Sequence, residues 1–247
     1  MFNFFTKKEF LVDHLAGSID IHNHILPGID DGAKNVEESI ELIKGFKEFG
    51  VTKFICTPHI MHNYYDNTPK TIKESFKELK KGVNHKELKD ITINYAAEHM
   101  IDDNFENILN TEKTLALGTN HLLIEMSYLQ PSINFDTAVE RITQKQLFPV
   151  FAHPERYLYL HKDYNLYTKF KSQGILFQLN MLSLSEYYGK DIQAITFKLL
   201  DEGKYDFIGS DVHNLKHLNF IKNEVKIDKK RVDKINKIIN NTIATFY

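Results

Sequence analysis

Apolar positions along this chain recur in two alternating rhythms. Short runs with a period of two read as strands at residues 18–24, 53–57, 91–97, 121–126, 148–152, 175–180 and 207–210. Helical spacing fills the gaps. Asn35 stands as an N-cap with an acid three residues on, Val36, Ile40, Ile43 and Phe46 follow at helical intervals, and Gly50 supplies a stop. Thr68-Pro69 opens a second helix to about Lys81, with Gly82 as its expected end, and further helices are predicted near 134–146, 160–172, 185–202 and 229–245. Seven strands alternating with helices, without a clear linker, predict an α/β fold around a parallel sheet. We expect one domain over residues 18–247 behind an extension of residues 1–17, whose apolar start Met1-Phe2-Asn3-Phe4-Phe5 is followed at once by Lys7, Lys8 and Glu9.

Composition narrows the possibilities. The 247 residues carry 31 basic and 33 acidic side chains, a net charge of −2, which argues against a nucleic-acid partner. No stretch is long and apolar enough to span a membrane. Cys56 is the single cysteine, so an intramolecular disulfide is excluded and a reducing, cytoplasmic setting is expected. Cysteine-based phosphatase chemistry needs a Cys, five residues and an Arg, because the thiolate attacks while the guanidinium holds the phosphate; position 62 is His62.

Residues able to bind metal fall at the predicted strand ends, where functional groups of parallel α/β folds gather. His22 and His24 share one face of the first strand, and Asp211 and His213 repeat the spacing after Phe207-Ile208-Gly209. Asp31 lies in the loop after the first strand, His59 follows the second, Glu98 the third, Glu125 ends the fourth and His153 follows the fifth. Singly, each has an ordinary explanation as a turn former, ion-pair partner or loop residue. Together they crowd five imidazoles and four carboxylates into one place, where buried charge costs several kcal/mol per group unless cations neutralise it. Oxygen and imidazole donors without thiolate suit manganese, iron, zinc or magnesium.

The ordered set HxH, Asp, His, Glu, a further acid, His and DxH resembles the PHP (polymerase and histidinol phosphatase) family. Within it, the segments from Asp20 to Gly32, Thr57-Pro58-His59, Ala152-His153-Pro154-Glu155-Arg156-Tyr157 and Ser210-Asp211-Val212-His213-Asn214 are similar to the bacterial capsule-locus tyrosine phosphatases. Glu125 occupies a position where many other PHP members carry histidine. The resemblance implies a distorted (β/α)7 TIM-like barrel, three divalent ions, often manganese, and protein-tyrosine phosphatase activity on a membrane-associated bacterial tyrosine kinase of polysaccharide synthesis. Carried over, it gives one ion to His22, His24 and Asp211, has Glu98 bridge to a second held by Glu125 and His153, and gives the third to Asp31, His59 and His213. Hydroxide formed at the metals attacks phosphorus in line, and Arg156 is the phosphate clamp. Family members place a second arginine shortly after the DxH; here the stretch reads Asn214-Leu215-Lys216-His217-Leu218, which leaves Lys216 and His217 as substitutes.

Two other functions compete: hydrolysis of a small phosphomonoester such as histidinol phosphate, and a non-catalytic metal-binding interaction domain. The HxHxLPGxDDG run and Glu125 count against the first, and the full ligand set with Arg156 against the second. Tyr64 and Tyr65 are candidates to flank an aromatic substrate ring. Tyr157, Tyr159, Tyr164 and Tyr167 are read as packing, the lysines from 222 to 237 as a solvated face, and His14, His62, His85, His99, His121 and His161 have no motif to make them ligands. Oligomeric state is left open.

Overall fold

The computed structural model describes residues 8–83, 88–111 and 114–247. Met1–Phe5 and His85 therefore lie outside the described residues. In the N-terminal extension, β1 (Lys8–Phe10) pairs antiparallel with β11 (Lys226–Asp228), and Leu11 and Leu15 are fully buried in the core.

The remaining strands run parallel in two sets. β2 (Ile19–Asp20), β3 (Lys53–Cys56) and β5 (Thr92–Tyr95) form one, and β4 (His59–Ile60), β6 (Glu98–Met100), β7 (His121–Glu125), β8 (Phe148–Ala152), β9 (Leu176–Asn180) and β10 (Phe207–Gly209) the other. The predicted strands at 53–57 and 91–97 are β3 and β5, and each is followed by a short strand that was not predicted, β4 and β6. Pro58 has no N–H to give the ladder, and its carbonyl accepts from Glu98 N at 3.1 Å as the chain bends into β4. Beyond the edge strands the backbone still pairs. Asp211 N donates to His22 O (2.7 Å) and His24 N to Val212 O (2.9 Å), around a parallel bridge between Asn23 and Val212. The sheet is therefore curled, bringing the ends of β2 and β10 to the same place.

Strand alternation sorts the core into two bodies. Leu122 and Ile124 of β7 face the helices with Phe151 of β8, while Leu123, Val150 and Ala152 face the hollow of the sheet with Ile19, Ile21, Ile55 and Phe207. Glu125, two residues beyond Leu123, continues the inner face above this apolar floor. The helices cover the outside. α1 (Val36–Lys47) is capped by Asn35, whose side chain accepts from Glu38 N at 2.9 Å, and buries Leu42, Ile43 and Phe46. α2 (Pro69–Val83) buries Ile72, Leu79 and Val83.

Gly82 does not end α2 as predicted; it lies inside it. A Cβ there would come 2.6 Å from Val36 Cγ1, so the glycine lets α1 and α2 approach closely. Helix α3 (Phe105–Thr111) was not predicted. α4 (Phe135–Gln144) was, and the segment predicted as one helix at 160–172 is two, α5 (Leu158–Lys162) and α6 (Asn165–Ser172), parted at Asp163 and Tyr164. α7 (Lys190–Asp201) starts later than expected: a 3-10 turn at 181–184, capped by the Asn180 side chain, runs into further turns over 185–188, and Gly189 at φ +105° precedes the helix. α8 (Leu215–Glu224), also not predicted, and α9 (Val232–Phe246) complete the layer.

Phe151 is fully buried, stacked on Tyr157 at 4.9 Å between ring centroids and in contact with Phe135, Phe170 and Phe177. Phe151→Ala should destabilise the fold by about 3–5 kcal/mol, measured as a lower urea midpoint with unchanged slope. A loss under about 1 kcal/mol would show that the ring does not anchor the outer core.

Candidate metal centre

The first strand stops at Asp20, short of the predicted run to residue 24. Its carboxylate accepts from Ser210 N (2.9 Å) and Ser210 Oγ (2.6 Å), so side-chain bonds replace the ladder there. His22 and His24 nonetheless enter one cluster, with ring centroids 5.5 Å apart. Asp211 and His213 arrive by a different route from that expected. Asp211 has φ +53°, so strand alternation does not relate the pair. His153 is left-handed too, at φ +36°. Such conformations cost a non-glycine residue about 1–3 kcal/mol and persist only where surrounding contacts enforce them.

All nine ligand candidates converge. The His22, His24, Glu98, Glu125, His153 and Asp211 side chains are buried, while His59 and His213 are partly exposed and Asp31 is the most open. Glu98 lies at the centre: its Oε2 is 3.2 Å from His22 Nε2 and 3.1 Å from His59 Nδ1, and its Oε1 is 3.1 Å from His153 Nε2. Asp211 Oδ1 is 3.4 Å from His22 Nε2 and 3.3 Å from His24 Nε2, and Asp31 Oδ1 is 3.5 Å from both His59 Nε2 and His213 Nε2. Among the described residues, four groups close enough to hold an ion emerge: His22, His24 and Asp211; His24, Asp31, His59 and His213; His22, Glu98 and His153; and His59, Glu98 and Glu125. Glu125 and His153, expected on one ion, fall in different groups.

The donors fit cations. His22 Nδ1 donates to Gln178 Oε1 (2.8 Å) and His24 Nδ1 to Asp30 Oδ2 (2.7 Å), which turns both Nε2 lone pairs inward. Those two Nε2 atoms and Glu98 Oε2 are buried without a hydrogen-bond partner, an arrangement that divalent ions would satisfy. Charge is arranged accordingly. Burial alone would raise the Glu98 and Asp211 carboxyls, but the surrounding imidazoles hold both well below the usual range. Burial lowers His153 to about 4, leaving it neutral; at His59 burial acts the same way, but the Glu125 and Glu98 carboxylates together overcome it and bring the imidazole up to about 9. Cys56 is fully buried and its thiol is pushed up by that burial, unlike an activated nucleophile.

Arg156 stands at the edge of the cluster. It does not pair with its neighbour Glu155, whose buried carboxylate accepts from Asn180 N and Tyr205 OH, each at 3.0 Å. Its Nη1 donates to Asp211 Oδ2 at 2.7 Å, and its guanidinium lies 4.7 Å from the Tyr128 ring centre and 4.2 Å from that of Tyr188. A cavity of about 920 Å³ opens above, lined by Asp31, His59, Glu125, His153, Arg156, Asp211 and His213 among others. Tyr64 and Tyr65 line it too: Tyr64 is exposed, and Tyr65 stacks on His59 at 5.4 Å. Lys216 and His217 are absent from the lining; His217 instead accepts from His213 N at 3.4 Å and meets the His213 ring edge-on.

A family model described as capsular polysaccharide synthesis, CpsB/CapC, matches residues 18–241. The chain belongs to the CpsB/CapC family. It is 31% identical to CapC of Staphylococcus aureus over 215 residues, covering 86% of this chain and 83% of that protein. It is 30% identical to the tyrosine-protein phosphatase YwqE of Bacillus subtilis over 203 residues (82% and 80%). A chain from the crystal structures of YwqE from Bacillus subtilis and CpsB from Streptococcus pneumoniae, described as unique metal-dependent tyrosine phosphatases, superposes with a TM-score of 0.81 at 27% identity, over 92% of this chain and 93% of that one. The lactonase Lmo2620 from Listeria monocytogenes shares the fold alone, with a TM-score of 0.54 at 13% identity over 95% and 96% of the two chains.

Several site-supporting residues of this CpsB/CapC member were not picked out from sequence. Gln178 and Asn180 alternate at the end of β9 in an otherwise apolar run, a period-two signal that could have found them; Asn180 Nδ2 donates to Asp211 Oδ2 at 2.8 Å. Asp30 was overlooked beside Asp31. Tyr128 and Tyr188 carry no sequence signal.

Gln178→Leu should lower metal affinity by roughly 10–100-fold, because His22 loses the acceptor that orients it; metal content after dialysis against graded chelator would measure this. Equal retention in variant and parent would sink the orienting role. Gly32 makes the closest approach, since a Cβ there would overlap the His24 carbonyl and Cβ. Gly32→Ala should therefore reduce bound metal while circular dichroism stays near that of the parent. Full metal content in the variant would show that the loop yields without moving His24.

Proposed function

We propose that this chain is a metal-dependent protein-tyrosine phosphatase of capsule or exopolysaccharide synthesis. The supporting observation is the convergence of nine oxygen and imidazole donors beneath a cavity that Arg156 also enters. Residues 18–247 act as one catalytic unit behind the 1–17 extension, and we read the curled sheet as a distorted seven-stranded (β/α) barrel. His22, His24, Asp31, His59, Glu98, Glu125, His153, Asp211 and His213 would hold three divalent ions, with manganese the expected metal. When bound, such ions polarise phosphoryl oxygens and acidify water. The substrate is a phosphotyrosyl protein, which we take to be a membrane-associated bacterial tyrosine kinase met from the cytoplasmic side. Among the described residues no helix is long and apolar enough to cross a membrane.

The chain's own groups supply the rest. Arg156 offers guanidinium N–H groups to phosphoryl oxygens while Nη1 stays on Asp211 Oδ2. Tyr65 and Tyr128 both line the cavity and offer aromatic surface to an aryl ring. A phenol, with a pKa of about 10, departs without a strong general acid, and no group in the cavity is assigned that role.

Protein stripped of metal and reloaded with Mn, Fe, Zn or Mg should turn over phosphotyrosyl peptide far faster than phosphoserine peptide or histidinol phosphate. Higher kcat/KM on histidinol phosphate would move the assignment to a small-molecule phosphatase. Cys56→Ser should keep most activity, whereas His22→Ala with His24→Ala should abolish it and reduce bound metal. Arg156→Lys keeps the charge but loses the fork, and should cost about 10²-fold in turnover with metal retained. Unchanged kinetics in both Lys and Ala variants would remove Arg156 from the reaction.

A further inference from the structure

The cavity is larger than its chemistry requires. At about 920 Å³ it lies near the top of the ~300–1,000 Å³ range of clefts that enclose drug-sized ligands, and a phosphoryl group on one phenol ring fills only part of it. Residues 127–134, which join β7 to α4, line the cavity together with Tyr64. Leu129 is 92% exposed, Ile133 fully so, and Tyr64 80%. Nine large apolar side chains are exposed among the described residues, and four of them, Tyr64, Tyr128, Leu129 and Ile133, line this cavity. Single exposed apolar residues are ordinary, but their concentration beside a reaction cleft marks a binding surface.

Charge on the same rim is one-sided. Asp31, Asp102 and Asp103 line the opening, while Arg156, the sole lysine or arginine among the lining residues, is engaged by Asp211. Asp102 accepts from His62 N (2.8 Å) and Asn104 N (2.9 Å) and so holds the rim in shape, whereas Asp103 is exposed.

We propose that residues 127–134, with Tyr64, form a subsite for the polypeptide flanking the phosphotyrosine. The subsite favours apolar neighbours, which cover Leu129 and Ile133, and disfavours acidic ones, which meet Asp103. This rests on the tyrosine-phosphatase reading and specifies the substrate it acts on. The occupant is an extended phosphotyrosyl segment because the apolar surface is continuous with the reaction cavity, so one chain can lie on both at once. Lost contact with the flanks raises KM for a peptide and leaves a small aryl phosphate unaffected.

The test uses metal-loaded enzyme and three substrates: p-nitrophenyl phosphate, a phosphotyrosyl peptide with leucine and isoleucine flanks, and the same peptide with aspartate and glutamate flanks. The parent should prefer the apolar peptide by roughly tenfold or more in kcat/KM. Leu129→Ser with Ile133→Ser should lose about tenfold on that peptide, chiefly through KM, and keep its rate on p-nitrophenyl phosphate. Asp103→Lys should narrow the gap between the peptides. Equal kcat/KM for both peptides in the parent, or equal losses on peptide and p-nitrophenyl phosphate in the double variant, would overturn the subsite. A parent dimer that dissociates in the double variant, seen by light scattering, would overturn it in favour of a second copy of this chain. No turnover of any of the three substrates by the metal-loaded parent would remove the phosphatase reading itself, and the subsite with it.

Discussion

The structure is organised around the mutual proximity of buried carboxylates and imidazoles. Glu98 and Asp211 reach within 3.5 Å of both His22 and His24, with none of these side chains more than marginally exposed. Ionised groups at such depth cost several kcal/mol each unless they are paired. The surroundings follow from that requirement. Gln178 and Asp30 accept from the outward nitrogens of His22 and His24, Asn180 and Arg156 occupy Asp211 Oδ2, and the backbone accepts left-handed residues at His153 and Asp211. What remains pointing inward is a set of lone pairs.

The architecture was largely legible because strand period and helix period differ so clearly. The clustering of the nine candidate ligands was legible because they end strands and, in a parallel sheet, strand ends share one face. Details failed where side chains override backbone rhythm. Asp20 accepts from Ser210 where β2 ends early, Asn180 caps a 3-10 turn that the pattern did not mark, and Pro58 separates β3 from the short, unpredicted β4. Gly82 shows the same limit differently: glycine near the end of a helical pattern signals a stop, but here it answers to a neighbouring helix. Tyr128 and Tyr188 were not legible, since only folding brings a loop tyrosine from each side onto Arg156.

Those two rings bear on the missing second arginine. Lys216 and His217 follow the DxH but are not among the residues that line the cavity, where Arg156 is the one lysine or arginine. Its guanidinium lies against the Tyr128 and Tyr188 rings, and Asp211 holds one of its nitrogens. A planar group confined in this way loses little conformational freedom on meeting a phosphate, which suits a site with a single clamp.

The bridge between Asn23 and Val212 joins segments separated by most of the chain, and Asp20 and Ser210 bond beside it across 190 residues. During synthesis the segment bearing His22 and His24 must therefore wait for nearly all the rest before Asp211 and His213 can close beside it. Contacts so distant in sequence slow folding. The nine-residue cluster cannot close on a chain that stops short of His213, and any ion it holds would be captured only after that segment has been delivered.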